Sequence, residues 1–312
     1  MNHRPARSAV SGPKQAPAGA AGLLVVVTLV WGTNYPVTRY VLTNGFEPLA
    51  FAASRFTVVA TISCALALLR ERSLRVSRND LLLGAACAGL GIVVNQISLV
   101  YALSWTSASS VALLFGVVPA FVALFAHLAR VEVVTRRAWA AAGVSLVGAA
   151  LVAVGHQGRI SANLTGSALA LLAAACLAAY SVVARPLTDR YSPYRLTALL
   201  TVFGAVVLLA AGGHQLANEQ WSKISISAWV AFGFTVLPAY VIANSIWLTA
   251  IKRAGPAKAS LYMNMAPFVG TGISMAVLSE TLTFLQVIGG AVVAMGILLS
   301  EWPRAGRVAL TE

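Results

Sequence analysis

Ten apolar stretches of membrane-spanning length, joined by short polar segments, leave this chain few ways to fold. They run over residues 20–43, 48–69, 80–103, 107–129, 137–154, 164–185, 194–213, 225–251, 257–278 and 284–301. A helix needs about 20 largely apolar residues to cross roughly 30 Å of hydrocarbon. Hydrocarbon supplies no hydrogen-bond partner, so backbone at that depth must satisfy itself as a helix or a closed barrel. The runs lack period-two alternation and exceed the ~9–11 residues of a barrel strand, which leaves helices. Hydrophobic residues make up 59% of the 312 and charged residues only 10%, outside the balance of a soluble domain. The sequence predicts an all-α integral membrane protein with ten transmembrane helices.

The chain also repeats itself. Leu113, Pro119, Glu132, Thr135, Val144, Gly148 and Leu151 recur as Leu261, Pro267, Glu280, Thr283, Val292, Gly296 and Leu299, each 148 residues later. That period is too long for a solenoid and implies a duplicated half-protein. Duplicated bundles are a recognised feature of secondary transporters. The first repeat is assigned to residues 20–154, spans 1–5, and the second to 164–301, spans 6–10.

The net charge of +13 suggests nucleic acid until the positive residues are placed. Apart from Arg39, Arg55, Arg159 and Lys223, every Lys and Arg lies before span 1, after span 10, or at alternate loops between. Positive residues collect on the cytoplasmic side, so both termini are expected there and no nucleic-acid partner is. With five spans in each half, the second repeat starts on the opposite side from the first and is inverted. Residues 1–19 are expected to form a disordered cytoplasmic N-terminus and 302–312 a cytoplasmic tail. A cleaved signal peptide does not fit, because the first run is too long and contains Trp31 and Asn34. Cys64, Cys87 and Cys176 sit in apolar runs without metal-type spacing, and neither metal nor cofactor is expected.

Polar groups inside the spans are the candidate site. In span 1, Trp31 and Tyr35 stand four apart on one face, beside Asn34 and ahead of Pro36. A proline-disrupted helix is tolerated where protein or a water-filled cavity satisfies the freed groups. The stretch reads either as a kinked, cavity-lining helix or as helix packing with an interfacial anchor. Arg55 in span 2 reads as a functional charge, as a structural bond to helix-end carbonyls, or as a side chain reaching the interface. Asn95 and Gln96 point about 100° apart, so one of them, Asn95, is expected to face the cavity. Tyr101 follows in span 3. Asn244 and Tyr240 share a face of span 8, and Tyr262 is the binding candidate of span 9. Lys258 reads as a snorkelling residue. Pro119 and Pro267 are structural or gating positions. Glu132 and Glu280 precede spans 5 and 10, where a carboxylate suits the positive end of a helix.

The Trp-Gly-x-Asn-x-Pro stretch at residues 31–36, Arg55, and the paired Pro, Glu and Gly blocks together resemble the EamA family of the drug/metabolite transporter superfamily. The resemblance covers almost the whole chain. It implies two inverted five-helix repeats around a central solute cavity, working by alternating access. Similar proteins move amino acids, other metabolites and drugs.

The aromatic and amide groups of spans 1, 3, 8 and 9 suit a zwitterionic or mildly amphipathic solute. The expected function is a secondary transporter in the cytoplasmic (inner) membrane that exports small organic metabolites such as amino acids. Its partners are that solute and lipid; the oligomeric state is not legible. Export or import of a drug, nucleoside or vitamin is the competing reading. A membrane-embedded enzyme would need a nucleophile, acid pair or metal cluster. The four His residues, 3, 127, 156 and 214, are dispersed, and no catalytic residue is assigned. No phosphate-binding Gly-rich loop followed by Lys-Ser or Lys-Thr points to ATP coupling.

Overall fold

A computed structural model describes residues 18–131, 134–155, 160–247 and 262–301, and every regular element among them is a helix. The first half comprises α1 (Ala18–Thr43), α2 (Pro48–Glu71), α3 (Arg78–Trp105), α4 (Ala108–Leu128) and α5 (Arg136–Val154). In the second half lie α6 (Ile160–Val183), α7 (Pro193–Asn218), α8 (Ile226–Trp247), α9 (Ala266–Val277) and α10 (Phe284–Glu301). Eight of these, α1 to α8, are long and apolar enough to cross a membrane; α9 and α10 are shorter apolar helices. The run predicted for span 9 begins at residue 257, outside the described residues.

Helix starts follow local chemistry. Ser107, Thr135, Ser192 and Ser225 each accept the backbone N–H three residues on, at the heads of α4, α5, α7 and α8. Such a side-chain oxygen occupies one of the donors a helix leaves unpaired. Thr283 does the same for Gln286 at the head of α10, one repeat after Thr135.

Both halves interrupt equivalent helices at equivalent positions. The third helix of each widens into a π turn, Gly89–Val94 in α3 and Leu237–Ile242 in α8. The fourth breaks at Gly116–Val117 in the first half, and the chain breaks again at Asn264–Met265 ahead of α9. All four lie in the 148-residue register. Pro119 and Pro267 each stand second in the helical segment that follows the break. Lacking an N–H, proline suits the first turn of a new segment better than the interior of an old one.

Close packing joins the halves. On α5, a Cβ added to Gly148 would stand 2.6 Å from the Val293 nitrogen and 2.7 Å from the Gly289 carbonyl of α10, so this crossing needs hydrogen there. Small residues permit such approach between membrane helices. At one end of the bundle, Asp80 accepts from Arg190 at 2.5 Å and from the Tyr191 hydroxyl at 2.7 Å, while Arg195 pairs with Glu71 at 3.0 Å. At the other, Glu219 accepts from the Glu47 N–H at 2.9 Å and Gln215 from the Leu49 N–H at 2.6 Å.

Candidate functional site: a cavity between the two halves

A cavity of about 360 Å³ opens where the interrupted helices meet. Its size falls in the usual range for small-molecule sites, roughly 300–1,000 Å³. The π turns supply Gly91 and Ile92 from α3 and Ala239 and Tyr240 from α8. Phe115 and Met263, one repeat apart and each just before a break, supply two more side chains. From α1 come Trp31, Asn34 and Tyr35, and from α2 Arg55 and Phe56. Asn95 and Gln96 of α3, Tyr180 of α6 and Asn244 of α8 complete the polar and aromatic part of the wall.

Helical spacing explains the α1 contribution, since residues three and four apart share a face. The Trp31 indole donates to the Ala239 carbonyl at 2.8 Å, within the π turn of α8. Its ring lies 5.4 Å from that of Trp247, and the Tyr35 ring meets Phe115 edge-on at 5.4 Å. A Cβ at Gly91 would come within 2.6 Å of the Tyr180 ring, so this position must stay bare for Tyr180 to pack beside it in the wall.

A polar chain runs along the cavity wall from helix to helix. Asn95 donates to the Ala173 carbonyl of α6 at 2.8 Å, and Gln96 donates to the Asn95 side chain at 2.8 Å. Arg55 in turn donates to Gln96 at 3.3 Å and to the Thr235 carbonyl of α8 at 3.2 Å. Its guanidinium lies 5.9 and 5.6 Å from the Phe51 and Phe56 ring centres, within cation–π range. Arg55 is 4% exposed, and no carboxylate among the described residues lines the cavity.

Several placements differ from the sequence reading. Both amides of α3 reach the cavity, not Asn95 alone: Asn95 ties α3 to α6 while Gln96 extends to Arg55. Tyr101 is not in the wall; its hydroxyl accepts from Gln215 at 3.3 Å and its ring packs 5.3 Å from Trp105. Five residues past Gln96, it is turned about 140° away from that residue. Tyr262 packs on Leu24 with Leu23 and Trp247, and Met263, the next residue and about 100° further round, faces the cavity instead. Glu280 caps α4 of the other half, not the helix it precedes: it accepts from the Ala108 and Ser109 N–H groups, both at 2.8 Å, and from the Ser109 hydroxyl at 2.6 Å. Pro36 lies within α1, whose Asn34 and Tyr35 line the cavity. Arg39 donates to the Leu103 carbonyl at the end of α3. Glu132 and Lys258 lie outside the described residues.

Sequence reasoning assigned none of Phe56, Phe115, Tyr180, Tyr240 and Met263 to the site. Nothing distinguishes a cavity aromatic from a packing one in an apolar run. The repeat register does pair Phe115 with Met263, and that pairing was the available signal.

Helices of membrane-spanning length, a duplicated half and a cavity between the halves that carries amides and one arginine among apolar and aromatic side chains define a membrane transporter. The profile of the EamA-like transporter family matches residues 19–154 and again 164–302, and the chain belongs to that family. The uncharacterized transporter YyaM of Bacillus subtilis is 26% identical over 285 residues, covering 89% of this chain and 92% of its own. A probable terminal-alkyne amino-acid exporter of Streptantibioticus cattleyicolor is 27% identical over 291 residues, covering 92% and 95%. The uncharacterized inner membrane transporter YedA of Escherichia coli K12 is 27% identical over 287 residues, covering 89% of each. A protein of known crystal structure, 20% identical, superposes with a TM-score of 0.64 over 91% of this chain and 97% of that one, a likeness of fold. The protein is thus a multi-pass membrane transporter, with lipid around it and a small-molecule solute as its cargo.

Proposed function

We propose that the chain is a secondary transporter that exports small organic metabolites such as amino acids across the cytoplasmic membrane by alternating access. In this reading ten spans form two inverted five-helix repeats, residues 20–154 and 164–301, with both termini cytoplasmic. The observation that carries it is the cavity walled by both halves, which aromatic rings and amides line and at which equivalent helices are interrupted. Transporters commonly place their site where broken helices meet at the repeat interface. Trp31, Asn34, Tyr35, Asn95 and Asn244 contact the solute, the proline breaks hold the frame, and Arg55 braces α2 against α3 and α8 while the cavity is empty. Tyr101 and Tyr262 support the wall from behind. The likeness to the probable terminal-alkyne amino-acid exporter of Streptantibioticus cattleyicolor favours amino acids over the drug, nucleoside and vitamin readings.

The test is efflux from proteoliposomes preloaded with labelled amino acids, with and without a pH gradient. Saturable, protein-dependent efflux that Tyr35→Ala abolishes while the variant remains folded is the expected result. Efflux of drugs or nucleosides in place of every amino acid would overturn the substrate assignment.

A further inference from the structure

Within that transport reading, we infer that Arg55 is the anion subsite of the cavity and that the solute it takes carries a single carboxylate. An arginine inside a membrane bundle is costly unless a partner answers its charge. Here the partners are the Gln96 amide oxygen and the Thr235 carbonyl, both neutral. Nε has no partner, and a guanidinium carries five donors. Four described carboxylates are engaged at the ends of the bundle, Glu71 by Arg195, Asp80 by Arg190, Glu219 by the Glu47 N–H, and Glu280 by α4, while those of Glu47 and Asp189 are exposed and away from the cavity. None lines the cavity, so among the described residues Arg55 is its one charged side chain.

The chemistry selects the ligand. A guanidinium is a planar fork that matches a carboxylate with two parallel hydrogen bonds. One positive charge balances one negative charge; a phosphate monoester, with about −1.5 to −2 at pH 7, would leave buried charge unanswered. The 3.3 Å bond that Arg55 donates to the Gln96 amide oxygen is long enough for an incoming carboxylate to displace. A second pole is also present. The Asn34 side-chain oxygen is buried without a partner, and the rings of Trp31, Tyr35 and Tyr240 line the same cavity. An ammonium group donates to an amide oxygen and rests against aromatic faces. The site is therefore built for a zwitterion with its carboxylate at Arg55.

Leucine, phenylalanine and methionine, each paired with its amide, decide the matter in proteoliposomes holding the full chain. Wild type is expected to move the acids about tenfold or more faster than the amides, since a site built around one polar group rejects analogues lacking it. Arg55→Gln should bring that ratio to near one, and Arg55→Lys should keep the preference with weaker binding. Thermal stabilisation of detergent-solubilised wild type by the acids and not the amides is the parallel readout, which stands even where Arg55→Gln fails to fold. Equal handling of acid and amide by wild type, or an unchanged ratio in folded Arg55→Gln, overturns the anion subsite and leaves transport intact. Preference for phosphoethanolamine over the amino acids overturns the carboxylate assignment. Flux of neither acids nor amides, with drugs or nucleosides moved instead, overturns the amino-acid reading and this subsite with it.

Discussion

Removing the Glu280 carboxylate should loosen the contact between the halves by an amount the geometry sets. Glu280→Ala deletes an acceptor that takes two backbone N–H groups at 2.8 Å and one hydroxyl at 2.6 Å. Ala108 and Ser109 are both fully buried, so water does not readily replace it. A hydrogen bond to a charged group contributes about 1.5–3 kcal/mol, and a buried donor left unpaired costs about 1–3 kcal/mol. Three bonds sharing one carboxylate do not add, and Ser107 still caps α4 through the Ser110 N–H. The loss should be about 2–4 kcal/mol, somewhat above the ~0.5–2 kcal/mol of an ordinary helix cap. For a chain of this size that lowers the midpoint of thermal unfolding by roughly 5–10 °C, measured on detergent-solubilised protein. Glu280→Gln keeps the shape and an acceptor oxygen and should lose about half as much. A midpoint within about 1 °C of wild type for Glu280→Ala, or a Gln variant as unstable as the Ala variant, would refute the assignment.

Two further outcomes can be checked in the same preparation. Gly148→Val should cost about 3 kcal/mol or more and sharply reduce the yield of folded protein, because the new methyls meet Val293 and Gly289 of α10. The control, Gly143→Val, has open space around its Cβ position and should unfold within about 1–2 °C of wild type. Trp31→Phe keeps a ring against Trp247 but removes the hydrogen bond to the Ala239 carbonyl; it should cost about 1 kcal/mol in stability and raise the KM for efflux.

Hydropathy was enough to place α1 to α8, because a span of about 20 apolar residues has few alternatives in a bilayer. The site was only partly legible. Trp31, Asn34 and Tyr35 were readable because three- and four-residue spacing in a continuous helix fixes their common face. Tyr101 and Tyr262 were not, because residue type says that a side chain wants a polar partner and not which of several directions holds one. Glu280 shows the same limit: a carboxylate suits a helix N-terminus, yet the helix it found begins 172 residues away in sequence. Neither π turn has a dependable signature. Pro238 lies in the second, but the first, Gly89–Val94, has no proline, and across the repeat the two share only Val93 and Val241.

The interruption of α8 also changes what the cavity wall is made of. The Thr235 carbonyl, just ahead of the wide turn, accepts from Arg55, and the Ala239 carbonyl within it accepts from Trp31. Part of the polarity at this site is therefore main chain, set by helix geometry and not by any side chain. An alanine scan would pass over both oxygens without registering them. They disappear only when the turn itself is regularised, which makes the backbone of residues 235–239 as much a determinant of the site as the residues that can be named from the sequence.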